Sequence, residues 1–188
     1  MTDPYITCPV FQNENFLLRP VESADAPDLL SVYSDEMAVP FFNSDNCHGD
    51  DFHYTTLSRM QSAVDFWMES YREKWFIRWV IVDNKRQKAV GTIEFFHRQA
   101  EDFFTDCGLL RLDLRSDYES TTAIREILSL IVPPAYDLFH CRMIATKAIS
   151  SAVRRREALK RLGFSASAEA LVGDDGTRYT DYFVKLQD

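Results

Sequence analysis

Residues 115–128, RSDYESTTAIREIL, carry side chains that suit an anion. The hydroxyls of Ser120, Thr121 and Thr122 follow one another where an apolar strand pattern gives way to a helical one. A helix N-terminus offers unpaired N–H groups and a partial positive charge, and hydroxyl and guanidinium groups add hydrogen bonds to phosphate. Arg115 and Arg125 supply that charge here. The turn is therefore predicted to hold a phosphorylated ligand, although it contains no glycine.

The patterns on either side place this turn in an α/β sheet. CGLLRLDL (107–114) alternates leucine with charged residues and predicts a strand, and CRMIATKAI (141–149) predicts another. The segment between them has helical spacing, so the two strands are predicted to be parallel neighbours with a crossover helix. Such a pair forms a ligand crevice. Pro133 and Pro134 are expected to kink or end the helix early.

The rest of the chain completes a mixed sheet with helices on its faces. Helices are predicted from Ser23, read as an N-cap, over 58–75, and after Ser150 or Ser151 up to Gly163. FIRWVIV and KAVGTIEFF predict a hairpin, and the glycine in the second strand predicts a bulge or a close backbone approach. ASAEALV and RYTDYFVKL predict a second hairpin. We interpret residues 1–188 as one α/β domain.

Composition excludes several classes of protein. The net charge of -8 argues against a nucleic-acid binder and is compatible with an amine-bearing substrate. No apolar run approaches the length of a membrane span, and no basic segment followed by an apolar one opens the chain. The four cysteines are scattered singly, which is typical of reduced thiols. We therefore expect a cytoplasmic protein that binds neither membrane nor nucleic acid.

Three segments, in this order, resemble the GNAT superfamily of acyl-CoA-dependent N-acyltransferases: FLLRPVESADAPDLLSVYSDE, KAVGTIEFF and EALKRLGF. The resemblance is strongest to the branch that includes ribosomal-protein N-terminal acetyltransferases. It implies a GNAT fold, with a mixed central sheet of about seven strands flanked by helices. It also implies that the fourth and fifth strands splay apart, that acetyl-CoA lies in the gap as co-substrate, and that its pyrophosphate meets the helix after the fourth strand.

The signature of that helix start departs from the family pattern. The family has Gln or Arg, two residues, Gly, one residue, then Gly or Ala; this chain has Glu119, Thr122 and Ile124 at those positions. A Cβ at Thr122 limits the approach of a ligand to the backbone, and the Glu119 carboxylate would repel phosphate. The site implied by the resemblance consists of Leu114, Arg115, Glu119, Ser120, Thr121, Thr122, Ala123, Ile124, Arg125 and Arg155.

N-acyl transfer needs a proton acceptor for the amine and a proton donor for the departing thiolate. Glu94 and Asp113, both within predicted strands, are candidate acceptors, although a solvated strand face or an Arg111–Asp113 pair would explain them structurally. Tyr182 and Ser151 are candidate donors, although tyrosines in terminal strands are usually packing residues. The backbone amides of 113–115 are expected to polarise the thioester carbonyl.

The loop CHGDDFH, residues 47–53, places histidine, cysteine and aspartate close together but matches no metal-ligand spacing. No metal is therefore predicted. The loop is expected to be polar and to contact the substrate.

Two functions follow. The first is transfer of an acetyl group from acetyl-CoA to a primary amine by direct attack in a ternary complex. The amine acceptor is a protein N-terminus, a polyamine or another small molecule. The alternative is a GNAT-fold module without turnover, which binds or regulates a partner and forms a homodimer. The glycine-free turn supports the alternative, and the sequence leaves both open.

Overall fold

The protein is described by a computed structural model over residues 3–187. Within them, eight strands form one sheet in the order β1-β2-β3-β4-β5-β6-β10-β7, and β8 pairs with β9 in a small second sheet. The strands are β1 (Phe11–Gln12), β2 (Phe16–Pro20), β3 (Ile77–Asp83), β4 (Lys88–Arg98), β5 (Cys107–Leu114), β6 (Met143–Lys147), β7 (Ser165–Ala166), β8 (Leu171–Val172), β9 (Arg178–Tyr179) and β10 (Tyr182–Leu186). The helices are α1 (Ala26–Tyr33), α2 (Leu57–Arg72), α3 (Thr121–Phe139) and α4 (Val153–Arg161). The predicted mixed sheet with flanking helices is confirmed.

The predicted parallel pair is β5 with β6, joined by α3. Their pairing begins at Cys107 with Met143 and ends at Leu110 with Thr146. β5 continues to Leu114 while β6 ends at Lys147, so the last residues of β5 have no β6 partner along that edge, and we call the space beside this edge the gap. α3 packs its apolar stripe, which includes Ile127 and Ile131, on the sheet.

Of the two effects expected of Pro133 and Pro134, an early end of α3 is wrong, because the helix runs through both prolines to Phe139. A proline removes an N–H and leaves the carbonyl four residues earlier without its helical partner. That carbonyl belongs to Ser129 for Pro133, and Ser129 is exposed, so water can replace the lost hydrogen bond. Burial of the stripe on either side of the prolines then holds the helix together.

Two predicted helix caps are also wrong. Ser23 opens a short 3-10 turn, and the preceding Glu22 forms a capping box with Asp25 before α1 begins. α4 begins after Ala152, with no side-chain cap, instead of at Ser150 or Ser151. Hydrogen bonds within the residues before α4 shape that turn, including Ala152 N–H to the Ile149 carbonyl. The predicted C-terminal stop is confirmed, since Gly163 follows α4 with φ of 85°.

The closing hairpin forms only in part. β8 and β9 pair as predicted, but RYTDYFVKL splits into β9 and β10 at Asp181, whose φ is 67°. β10 then returns to the main sheet, where it lies antiparallel between β6 and β7. This return places Tyr182 opposite Lys147, at the end of β6 where the gap opens.

Gly91 lies where β3, β4 and β5 approach closely, which confirms the close approach predicted there. The β3–β4 register shifts between Ile81 and Val82, beside Gly91. A Cβ at Gly91 would press on the backbone oxygen of Asp113 and lie 2.7 Å from Leu114 Cδ2. The site has no space for a side chain, because both neighbours belong to the buried strand β5.

Gly91→Ala is expected to lower the free energy of unfolding by about 1–3 kcal/mol, since β4 and β5 must separate to admit the methyl group. Urea unfolding would measure the change. Lys88→Ala, on the exposed end of the same strand, should stay within about 0.5 kcal/mol. Equal stability of Gly91→Ala and the parent protein would show that the strands adjust freely.

Both faces of the central strands are buried. Leu110, Leu112 and Leu114 face α3 in the larger apolar cluster, while residues 109, 111 and 113 alternate onto the other face. α1 and α2 cover that second face with a smaller apolar cluster that includes Tyr33 and Trp67. Among residues 3–187, no helix has the length and apolar character needed to cross a membrane.

Candidate active site

A row of alternating charge crosses three strands under α2. Arg78 on β3 lies opposite Glu94 on β4, and Glu94 lies opposite Arg111 on β5. The Glu94 carboxylate forms ion pairs with both guanidinium groups, through Oε2 to Arg78 and through Oε1 to Arg111, the latter at 2.6 Å. The Arg78 guanidinium also stacks 4.1 Å from the ring of Trp67. Register, and not proximity in sequence, creates this row.

Asp113 closes the row at its inner end. Its Oδ2 accepts hydrogen bonds from the Tyr33 hydroxyl at 2.8 Å and from Arg78 Nη1 at 3.1 Å. Arg78 Nη1 also donates to Thr92 Oγ1 at 2.9 Å. Asp113 is wholly buried, and its Oδ1 has no hydrogen-bond partner among residues 3–187. Arg111, which the sequence suggested as its partner, pairs with Glu94 instead.

The two carboxylates of this network differ in acidity. Burial would raise the pKa of Glu94, but the charges of Arg111 and Arg78 outweigh it and hold that pKa below its ordinary value. Burial raises the pKa of Asp113 above its ordinary value, because Arg78 and Tyr33 offset only part of it. Glu94 is therefore an ionised, doubly paired group, and Asp113 lies beyond the reach of a substrate in this conformation.

A wide cavity opens beside the end of the β5–β6 pairing. Its volume is about 740 Å³, and Leu109, Arg111 and Tyr182 line its floor. Asp45, from the connection between α1 and α2, lies at the same floor and binds Lys147 Nζ at 2.6 Å and 2.7 Å. The Tyr182 hydroxyl donates to Asp45 Oδ2 at 3.0 Å. A carboxylate, an ammonium and a phenol thus meet where β6 ends.

The rim of this cavity is acidic. Glu101 and Asp174 line it, together with Asp102, which is paired with Arg98 at 2.6 Å. Burial and then the charge of Asp45 raise the pKa of Tyr182 well above its ordinary value, so this phenol stays a proton donor at neutral pH. The arrangement favours a cationic ligand and offers it both a proton acceptor and a proton donor.

A second cavity, of about 360 Å³, lies on the other side of Arg111 under α2. Aromatic rings line it, including those of Phe52, Tyr54 and Trp67, and the charge row forms its base. The loop 47–53 borders this cavity, and its contact with a substrate stays a prediction. Asp50 of that loop binds Arg59 and the Tyr54 hydroxyl. Among residues 3–187, no three histidine, cysteine or acidic side chains are placed to hold a metal ion.

On the opposite side of the gap, the first turn of α3 faces the start of α4. The Ser120 hydroxyl accepts from the Ala123 N–H at 3.2 Å and caps α3. The Thr121 hydroxyl donates to the Arg154 carbonyl and lies 3.2 Å from a Glu157 oxygen. The N–H groups of Thr121 and Thr122 are those that a phosphate would meet at this helix end. The hydroxyls of Ser120 and Thr121, two of the three predicted to bind phosphate, are therefore already engaged in hydrogen bonds with α3 and α4.

Arg155 and Glu119 lie buried between the starts of α3 and α4. Their side chains form a buried ion pair. Arg155 Nη1 also donates to the Leu112 carbonyl at 2.8 Å and to the Phe41 carbonyl at 2.9 Å. A cavity of about 290 Å³ lies outside the pair and is lined by Ser116, Ser151 and Arg154, among others. The chemistry of this donor set fits a phosphate at the mouth of the gap better than at its interior.

The predicted catalytic residues do not meet at one point. Tyr182 lines the 740 Å³ cavity, Glu94 the 360 Å³ cavity and Ser151 the 290 Å³ cavity, while Asp113 is sealed in the network. Their roles stay predictions. Arg111 lines both the cavity that contains Tyr182 and the cavity that contains Glu94.

The predicted cofactor-binding residues lie closer together than the predicted catalytic residues do, around the start of α3. Leu114 and Ile124 are buried in the core with their side chains away from solvent, so only their backbone is available to a ligand. Arg115 pairs with Asp117, and Arg125 is exposed on α3. The remaining residues surround the α3 start: Glu119, Ser120, Thr121, Thr122, Ala123 and Arg155.

Sequence reasoning missed the groups that organise the site. Asp45 and Lys147 are 102 residues apart, and nothing in either segment pointed to their pairing. Arg78 lies inside FIRWVIV, where a lone arginine in an otherwise apolar strand was a usable signal. A buried charge needs a partner, so that arginine implied an acid on a neighbouring strand.

Residues 15–165 match the family described as the acetyltransferase (GNAT) domain. The sequence has no match among curated proteins. Solved structures with the same fold include the ribosomal-protein-S5-alanine acetyltransferase of Vibrio fischeri. It is 18% identical, with a TM-score of 0.70, over 96% of this chain and 97% of that one.

Two further structures agree. A GNAT-family acetyltransferase of Bacillus anthracis is 12% identical, with a TM-score of 0.69, over 95% of this chain and 98% of that one. A Salmonella typhimurium acetyl transferase, which modifies the N-terminal serine of ribosomal protein L7/L12, is 13% identical. Its TM-score is 0.66, over 96% of this chain and all of that one. At these identities the likeness shows the fold.

Proposed function

Because the chain belongs to the GNAT acetyltransferase family, we propose that it transfers an acetyl group from acetyl-CoA to a primary amine by direct attack in a ternary complex. Two cavities, connected to β5 by different contacts, support this proposal. One lies at the α3 and α4 starts, where Arg155 reaches Leu112 of β5, and the other has Leu109 and Arg111 of β5 in its floor. The donor and the acceptor can therefore approach the same stretch of β5 from opposite sides.

The acceptor side suits the N-terminus of a polypeptide. Its rim is acidic, so it attracts an ammonium group, and its volume of about 740 Å³ exceeds what a small amine needs. Two structural neighbours carry names of ribosomal-protein acetyltransferases, and one of them modifies an N-terminal serine. We infer the same acceptor class here, a protein N-terminus, with polyamines and small amines as the alternatives.

Asp45 and Tyr182 can complete the proton transfers. Acetyl-CoA supplies a thioester whose carbon–sulfur bond breaks as the carbon–nitrogen bond forms. Asp45 takes a proton from the amine, and Tyr182 gives one to the leaving thiolate. The hydrogen bond between them, 3.0 Å long, lets Tyr182 regain its proton from Asp45. The net result is one proton moved from nitrogen to sulfur, with both side chains restored.

Thioester cleavage tests the proposal. The purified protein would be incubated with acetyl-CoA and one of three acceptors: a peptide with a free N-terminal alanine or serine, spermidine, or a small primary amine. Free thiol release is expected with the peptide, and mass spectrometry should find one acetyl group on its α-amine. Intersecting initial-velocity lines would support a ternary complex.

The same peptide with a blocked N-terminus is the matched control and should give no release above background. Thiol release that does not depend on an acceptor would contradict amine transfer. Absence of both release and acetyl-CoA binding at millimolar concentration would favour the module without turnover.

A further inference from the structure

The edge of β5 beyond Leu110 faces the gap and meets no strand. In a continued parallel pairing, the Leu112 carbonyl would accept a hydrogen bond from β6, but the pairing ends at Leu110 and Thr146. The Arg155 guanidinium takes that place instead, at 2.8 Å from the Leu112 carbonyl oxygen. A side chain of α4 thus occupies the position of a missing strand.

This guanidinium is held on three sides. Glu119 pairs with it from the α3 start, Leu112 accepts from β5, and Phe41 accepts at 2.9 Å from the segment between α1 and α2. Arg155 is 2% exposed and Glu119 8% exposed, so neither charge is solvated. A buried charge is stable only with its partners in place. Neither side chain of the pair can therefore leave the gap without leaving the other charge unpaired.

The pair therefore competes with the acyl donor, an inference that rests on the proposed function. A donor with its thioester near Leu109 and Arg111 and its phosphates near the α3 start must cross the gap between β5 and β6. Its amide-containing arm needs the open strand edge at Leu112, which Arg155 holds. We propose that Arg155 and Glu119 form a gate that must open before acetyl-CoA binds productively, and that the gate lowers the apparent affinity for acetyl-CoA.

The phosphates of the donor supply a reason for the gate to open. The cavity outside the pair lies beside the first turn of α3, where a bound phosphate would give the guanidinium a second anionic partner. Glu119 would then share Arg155 with the phosphate, which weakens the ion pair that keeps the gate closed. The observed affinity is the intrinsic affinity reduced by the fraction of molecules with an open gate.

The test measures the dissociation constants of two ligands by calorimetry. Acetyl-CoA contains the arm that crosses the gap, whereas adenosine 3′,5′-bisphosphate lacks it. Arg155→Ala and the double variant Glu119→Gln with Arg155→Ala are compared with the parent protein, and the double variant leaves neither charge of this pair. Both variants are expected to bind acetyl-CoA about tenfold or more tightly. The bisphosphate does not cross the gap and loses a phosphate contact with Arg155, so it should bind no more tightly than it does to the parent protein.

Arg161→Ala is the matched control, because it removes an exposed pair with Glu157 from the same helix and should change neither constant. Thermal melts confirm that each variant is folded. Weaker acetyl-CoA binding in both variants would show that Arg155 is a ligand or a structural bridge, and would overturn the gate. An unchanged constant would also overturn it and leave the proposed function standing. If neither the parent protein nor the variants bind acetyl-CoA, both the gate and the proposed function are refuted.

Discussion

Arg78→Met is expected to lower the free energy of unfolding by about 3–5 kcal/mol, because it removes the only cation that contacts both buried acids of the network within residues 3–187. Methionine keeps much of the volume, so the loss is electrostatic and not a cavity effect. Asp113 would keep only the Tyr33 hydroxyl, and Glu94 only Arg111. Since typical domains are stable by about 5–15 kcal/mol, the variant should be near the limit of folding.

The pH dependence of this loss identifies its cause. In the parent protein the pKa of Glu94 is lowered, so its contribution is full above the unfolded pKa and is lost as the pH falls. Without Arg78, the folded-state pKa values of Glu94 and Asp113 both rise, and their protonation stabilises the folded variant. The stability difference between variant and parent should therefore shrink as the pH is lowered from 7 towards 4.

Urea unfolding at several pH values makes the measurement. Arg72→Met breaks an exposed pair with Glu69 and should cost less than about 1 kcal/mol at every pH. Adding Asp113→Asn to Arg78→Met should recover part of the loss, since it removes the acid that is left without a cation, while Glu94 keeps its pair with Arg111. A loss that is independent of pH would mean that packing against Trp67, and not charge, is what Arg78 contributes.

The sheet could be predicted because apolar residues recur along its strands and helices at the spacing of each element. CGLLRLDL places Leu110, Leu112 and Leu114 on one face, and the α3 stripe packs on that face, so the parallel pair followed from period and connection length. α3 persists through Pro133 and Pro134 because tertiary packing outweighs two lost hydrogen bonds on a solvent-facing side. Local propensity does not contain that information.

The site was harder because its charges meet through register and through loops. Glu94 and Arg111 were recognised singly, but their row with Arg78 depends on a register shifted beside Gly91. Asp45 lies in a segment without periodicity, so no pattern predicted its contact with Lys147. Glu119 and Arg155 were assigned to the site as single residues, and only the structure shows that each residue is the partner of the other.

Asp45→Asn is expected to lower kcat by about 100-fold or more with the acceptor peptide, while the affinity for acetyl-CoA stays within about threefold. Asparagine keeps the size of the side chain and can still accept from Tyr182, but it cannot take the proton of the amine. The limb of the pH–rate profile that reports the base should disappear. Asp174→Asn, at the exposed rim of the same cavity, should raise KM by a few fold and leave that limb in place.

A double-mutant cycle with Tyr182→Phe separates catalysis from structure. If Asp45 and Tyr182 pass one proton between them, removing either breaks the same circuit, and the double variant should be little slower than the slower single variant. If instead Asp45 only anchors Lys147, then Lys147→Met should reproduce the loss of kcat, and the effects of Asp45→Asn and Tyr182→Phe should multiply. If the effects of the two substitutions on kcat multiply, Asp45 does not belong to the proposed mechanism. Two groups that pass one proton between them act together, so removing the second group should add little to the loss caused by the first.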